Sequence, residues 1–259
     1  MLNSGAFAAR PVTWFRIAVA IAVVMVSIEN LVTMLDAAGE RIAIPLLPAL
    51  PPVSTGVAIV LGTLGIVSGF ALASGHLPRA SAGLATVAML AVQVVEQQAY
   101  SSHHVLAILF TGYLALIGSS RRESVARLPV LIVLTQVSVV YLFTAIAKLN
   151  PVFLSGSVLR ESFAIPLPDV VFAVMAWASV IFEFFLVVGL WLRPTTSVAV
   201  ILGTLFHLTI ATTLHDPFGL WAFTLLMVGT YPLFVYRSGV DATWRRLYER
   251  ARAVEFTAR

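Results

Sequence analysis

The sequence predicts an all-α, polytopic membrane helix bundle of about eight spans. Of its 259 residues, 59% are hydrophobic and only 11% charged, against about a quarter charged in ordinary soluble domains. Mean hydropathy is +0.97. Apolar runs approaching the roughly 20 residues that cross a bilayer recur along the chain, separated by short polar turns. The strict alternation of membrane β-strands is not visible.

Eight segments qualify in order: 15–35, 53–74, 81–100, 104–118, 128–149, 170–192, 197–214 and 218–236, the fourth being the shortest. The first run is too long for the apolar core of a signal peptide and lacks a small-residue cleavage pattern after it, so it reads as a retained span. The absence of cysteine excludes disulfides, thiolate metal sites and redox chemistry through a CxxC pair.

Charge sets the expected orientation. With a cytoplasmic N-terminus, the inside segments carry Arg10, Arg16, Arg79, Arg121, Arg122, Arg127, Arg193, Arg237 and the five arginines that follow, and the outside segments carry only Arg41, Lys148 and Arg160. This positive-inside asymmetry predicts a multi-pass cell-membrane protein with both termini cytoplasmic. The net charge of +4 does not imply nucleic-acid binding, because the arginines lie between and after apolar spans. After the bundle (1–236), residues 237–259 read as a basic amphipathic cytoplasmic tail. There Trp244, Leu247, Tyr248, Ala251 and Val254 recur at helical spacing among Arg245, Arg246, Arg250 and Arg252, a pattern suited to anionic membrane lipids or to docking another protein.

The halves 11–120 and 128–236 echo each other at a spacing of about 115–120 residues. Glu29-Asn30 and Lys148-Leu-Asn150 end corresponding helices, and Ile44-Pro-Leu-Leu-Pro48 and Ile165-Pro-Leu-Pro168 occupy corresponding loops. Leu77-Pro-Arg79 matches Leu192-Arg-Pro194, and Ser101-Ser-His-His104 matches His215-Asp-Pro217. Four spans per half implies a 4+4 parallel duplication about an axis along the membrane normal.

Ionisable groups within spans are costly and are candidate site residues by default. Lys148 is the sole lysine beside fifteen arginines. Unlike arginine, it can lose its proton when buried and act as a base. Tyr141, Thr144 and Lys148 follow i, i+3, i+7 spacing and share a helix face. Glu29, Glu96 (with Gln93, Gln97 and Tyr100), Glu183 and His207 lie within other spans, and His103, His104, His215 and Asp216 lie in the outside turns. On the expected topology nearly all of them gather in the extracytoplasmic half, with Lys148 at the bundle mouth.

Structural readings stand beside the functional ones. Lys148 can snorkel to the headgroups or neutralise a glutamate. Glu183 can be a packing carboxylate with a partner, His207 an interhelical hydrogen-bonding group, and the Gln93/Glu96/Gln97 face interhelical glue. Adjacent His103 and His104 are expected to point apart, making a poor metal pair, so no metal is expected. Gly65-Ile-Val-Ser-Gly69 reads as a close helix contact.

Tyr141-Leu-Phe-Thr-Ala-Ile-Ala-Lys-Leu-Asn150 followed by Phe153-Leu-Ser-Gly156 resembles the Y-x-x-A-x-x-K-L…W-x-x-G signature of the horizontally transferred transmembrane (HTTM) family. That family includes the membrane domain of vitamin K-dependent γ-carboxylase. Phe206-His207, Phe218-Gly219, Tyr231-Pro-Leu-Phe234 and Glu183 in a span closing with Trp191-Leu-Arg193 fit as well, so the resemblance covers about residues 136–234. The Lys-Leu element and the stretch Gly189-Leu-Trp-Leu-Arg193 also resemble the smaller DoxX-like membrane proteins. The carboxylase resemblance implies that Lys148 is the base that deprotonates a quinol of the vitamin K type, with oxygenation and carboxylation chemistry downstream. Two departures qualify it. Phe153 stands where tryptophan is expected, and the outside loops are only about twenty residues long, so carboxylation of a protein substrate would need a partner subunit.

Three functions remain open on the sequence. One is a quinol-linked membrane enzyme with Lys148 as base, His207 or His103/His104 polarising a quinone oxygen, and Tyr141, Thr144, Glu29, Glu96 and Glu183 around the quinone. Another is a non-catalytic DoxX-like subunit that anchors or matures an extracytoplasmic protein or peptide partner. The third is a proton-coupled transporter.

Overall fold

The computed structural model describes residues 6–39, 43–118, 124–215 and 217–237. The basic tail beyond 237, together with Arg41, Arg121, Arg122 and Asp216, lies outside the described residues.

Ten α-helices are formed among the described residues. They are α1 (Ala9–Gly39), α2 (Thr55–Ser74), α3 (Pro78–Val95), α4 (Ser102–Ile117), α5 (Arg127–Ala147), α6 (Pro151–Leu154), α7 (Ser157–Ser162), α8 (Asp169–Gly189), α9 (Thr196–Thr213) and α10 (Pro217–Arg237). Seven of them are long and apolar enough to cross a membrane, and α4, with 16 residues, is a shorter apolar helix in the place of the fourth expected span. At about 1.5 Å per residue it is about 24 Å long. The chain is an integral membrane protein built as an all-α polytopic bundle.

Packing follows chain order within each half. α1 lies on α2, α2 on α3 and α3 on α4, as α5 lies on α8, α8 on α9 and α9 on α10; α1 and α10 join the halves. Two short strands escaped the sequence reading, β1 (Ala6–Ala8) and β2 (Ser124–Ala126). They pair antiparallel with Phe7 opposite Val125, each immediately before the first helix of its half. Three residues apiece are too few to show a period against the flanking apolar helices.

The core runs through the contact of the halves, where Phe15, Val19, Phe110, Leu134, Leu226 and Phe234 are fully buried. Gly65 and Gly69 make the expected close contact, since a Cβ at Gly65 would lie 2.3 Å from Ser27 Oγ. Arg16 is buried within α1 and donates to the carbonyls of Leu72 and Ala73, satisfying the end of α2.

Two segments differ from expectation in ways that shape the site. The third span ends at Val95, and Glu96 turns extended beyond it. After α5 the chain does not leave the bundle. Asn150 caps α6, accepting from Phe153 N at 2.9 Å with Pro151 at the first helical position, and α6 and α7 then lie along α8.

Candidate functional site

Lys148 ends α5. Its Nζ donates to Glu183 Oε1 at 2.7 Å, with side-chain exposures of 25% and 6%. One helical stretch further along, Trp191 Nε1 donates to Ser138 Oγ at 2.6 Å, so α5 and α8 run antiparallel in this register. From Glu183 back to Asp169 is fourteen residues of helix, about 21 Å. Lys148 is therefore not at the mouth of the bundle, as the sequence reading had it. It sits well below the α8 N-terminus, and α6 and α7 cover it.

That cover is fixed at both ends. Phe153 packs against Ala176 and Val180, and its ring centroid lies 5.4 Å from Lys148 Nζ, a cation–π contact at the position where tryptophan was expected. At the far end, Ala164 N donates to Thr213 O at 2.8 Å and His215 N to Ser162 O at 3.0 Å, tying the α7 exit to the end of α9. His215 Nδ1 adds a bond to Ser162 O at 2.7 Å.

Between α8, α9 and this cover runs a groove of about 1030 Å³. Its walls include Phe182, Phe185, Phe206 and Ile210, its roof includes Phe153 and Phe163, and among the described residues Lys148 is the single ionisable one lining it. Ile181 and Leu202 on its rim are exposed on the helix exterior, so the groove opens sideways where the hydrocarbon of a bilayer would lie.

Behind the wall stands a buried polar row. Tyr141 Oη is 2.7 Å from His207 Nε2 and 2.5 Å from Tyr231 Oη. Tyr141 is 2%, His207 1% and Tyr231 1% exposed. Gly203 gives Tyr231 its space, because a Cβ there would lie 2.5 Å from the phenol oxygen. The Phe206 and Phe223 rings flank His207 with centroids 5.6 and 5.5 Å away. Thr144 donates back to the Val140 and Tyr141 carbonyls and lies against the Glu183 carboxylate.

The structure thus brings Lys148, Tyr141, Thr144, Glu183 and His207 together, and shows His207 behind Phe206 on Tyr141 instead of in the groove lining. It adds Tyr231, which the sequence reading noticed only as the start of a motif. A lone tyrosine 90 residues from Tyr141 offers no spacing signal. The usable hint was its position at the end of a span that also carries a helix-interior proline.

Glu29, His103 and His104 form a second, separate cluster. His103 Nε2 and His104 Nε2 lie 2.9 and 3.2 Å from the same oxygen, Glu29 Oε2. The expectation that adjacent histidines diverge is corrected here. They begin α4, where their rings stack edge to face at 4.4 Å and both turn toward α1. One ligand atom from each of the three residues falls within 4.8 Å of the others.

Glu96 joins neither cluster. It is fully buried, and its carboxylate accepts from Ile44 N (3.2 Å) and Gln98 N (2.9 Å). With Gln97 Nε2 bonded to Pro45 O and Gln93 Nε2 to Ala99 O, this face pins a loop to the end of α3 instead of joining helices. Tyr100 points outward, 70% exposed.

No functionally curated protein and no solved structure matches the chain. The family model described as HTTM domain matches residues 8–238, taking in all eight long helices and both polar clusters, and the chain therefore belongs to the HTTM family.

Proposed function

We propose that the protein is a membrane enzyme that binds a hydroquinone-type amphiphile in the α8–α9 groove and takes a proton from its hydroxyl with Lys148. The carrying observation is the groove itself, an apolar, aromatic-walled, side-opening space whose single ionisable lining residue, among the described residues, is an amine hydrogen-bonded to a buried carboxylate. A flat ring with an apolar tail fits such walls, and entry from the bilayer suits a molecule dissolved there. The arginine distribution supports an extracytoplasmic position for this half of the bundle.

The proton accounting uses residues of the chain. In the ion pair, Lys148 passes a proton along the 2.7 Å bond to Glu183, leaving a neutral amine and a neutral acid. The amine lone pair then accepts the proton of the bound hydroxyl, and the resulting ammonium faces the oxyanion at close range in a water-poor space. Phe153 and Phe182 exclude water, and the Tyr231–Tyr141–His207 row stiffens the wall behind them. A bound hydroquinone supplies the acidic hydroxyl and the reducing equivalents.

The packing of both halves in the same helix order, with β1 and β2 paired at their starts, supports reading them as parallel repeats. A second reading draws on the same ion pair, which is complete without a ligand. A non-catalytic DoxX-like subunit, holding its bundle together through Lys148 and Glu183 while it anchors an extracytoplasmic protein, would need the pair and not the amine's basicity.

The test uses the full chain in lipid nanodiscs, with extraction of co-purified quinone and oxygen-dependent consumption of added hydroquinone as readouts. Loss of consumption in Lys148→Ala, with bound quinone and fold retained, is the expected result. Full activity in Lys148→Ala overturns the base role. Activity in Lys148→Arg equal to wild type assigns the pair to structure.

A further inference from the structure

We propose that Glu29, His103 and His104 form a binding site for one divalent transition-metal ion of the zinc class, separate from the Lys148 groove. His104 Nδ1 bonds to the Ala99 carbonyl, which can only accept, so Nδ1 carries the hydrogen. In the neutral ring the Nε2 lone pair is then bare, and it faces a carboxylate oxygen 3.2 Å away. Two acceptors that close repel unless a proton or a metal ion joins them. His104 is 2% exposed, and its Nε2 has no hydrogen-bond partner among the described residues.

His103 is turned on the same point, although its anchor is a hydroxyl that can donate as well as accept. Its Nδ1 is held at 2.6 Å by Ser101 Oγ, and its Nε2 is turned on the same Glu29 oxygen at 2.9 Å. A ring whose far nitrogen is anchored to a carbonyl or hydroxyl, with the near nitrogen aimed at a shared point, is the usual outer support of a metal-bound histidine. Bonds of about 2.0–2.1 Å at tetrahedral angles separate ligand atoms by about 3.3 Å. The two Glu29–histidine separations fall short of this by only a few tenths of an ångström, and all three ligand atoms lie within 4.8 Å of one another. Two imidazoles and one carboxylate select a borderline ion over Mg²⁺ or Ca²⁺, which prefer all-oxygen sites. The Glu29 side chain is 31% exposed, which leaves a fourth position open to water or a small ligand. Ser101 acts as a positioning residue.

The experiment titrates chelator-stripped full chain in detergent with Zn²⁺ by calorimetry and with Co²⁺ by visible absorption. Expected for wild type are one Zn²⁺ per chain and the intense visible band of four-coordinate Co²⁺. His104→Ala and Glu29→Gln lose the band. Ser101→Ala weakens Zn²⁺ binding by about 10-fold or more, the range for an outer support, and His215→Ala matches wild type. Wild type taking up no stoichiometric Zn²⁺ overturns the proposal whatever the variants do, because a proton alone then joins His104 to Glu29. Unchanged affinity in correctly folded His104→Ala and Glu29→Gln overturns it as well. These readouts do not involve hydroquinone consumption, so the proposal stands or falls apart from the role of Lys148.

Discussion

Lys148 and Glu183 meet at 2.7 Å although 35 residues and two short helices separate them in the chain. The carboxylate is 6% exposed and the amine 25%. Inside an apolar bundle the buried carboxylate has no ready alternative partner and the partly exposed amine few, so each depends on the other, and the pair helps to hold the register of α5 against α8. Functional readings of Lys148 have to begin from this pairing.

Removing one partner leaves an unpaired charge in a low-dielectric site. Lys148→Met should destabilise the bundle by about 3 kcal/mol, the low end of the cost of breaking a buried pair, because the amine is partly exposed. The double variant Lys148→Met/Glu183→Leu should recover more than half of that loss. Unfolding of the four proteins in the same detergent, treated as a double-mutant cycle, measures the coupling. Losses of the two singles that simply add in the double variant would show that the two groups act independently.

The buried phenol row makes a distinctive prediction at Gly203. A methyl there would meet the Tyr231 hydroxyl at 2.5 Å, so Gly203→Ala forces the phenol off Tyr141. Tyr231→Phe loses one hydrogen bond, about 1 kcal/mol, and removes the obstructing oxygen. Gly203→Ala should therefore cost more alone than in the Tyr231→Phe background. Thermal unfolding of the two singles and the double reads this directly. Additive losses would place the strain elsewhere.

Much of this architecture was legible in the sequence. Span positions follow from hydropathy, and Glu29, His103, Lys148, Glu183 and His207 stand out because ionisable groups are costly within or beside apolar spans. Which of them touch was not legible. Lys148 had three glutamates at candidate depth, and the choice of Glu183 depends on α8 extending about 21 Å beyond it, a consequence of α6 and α7 folding back. Hydropathy treats 151–168 as loop and carries no sign of that return. Likewise Glu96 reads as a polar span residue until a single turn of backbone at Val95 makes it a loop clamp.

Groove occupancy can be separated from the ion pair through Ala178. It lines the groove and is exposed, so Ala178→Trp fills the space from the α8 side without touching Lys148 or Glu183. Stability should stay within about 0.5 kcal/mol, as for a substitution away from the core, while co-purified quinone falls at least several-fold. Unchanged quinone content by extraction and chromatography would move the binding place away from this groove.

Gly156 tests the cover over Lys148. Its φ of +82° lies in the left-handed region, and a Cβ would sit 2.5 Å from the backbone of Phe172 and Ala173, so the position demands glycine twice over. The close approach lets α6 and α7 lie flat on α8 and holds Phe153 over the amine. Gly156→Ala should cost about 1–3 kcal/mol, the scale of local backbone strain, concentrated in this segment. Hydrogen exchange over 151–163 should accelerate at least 10-fold while α1 and α2 exchange as in wild type. Val152→Ala, at a side chain exposed on the outside of the same segment, should leave exchange unchanged. If the segment loosens yet hydroquinone consumption persists undiminished, water exclusion over Lys148 is not part of the chemistry. If both fall together, the cover and the amine form one functional unit.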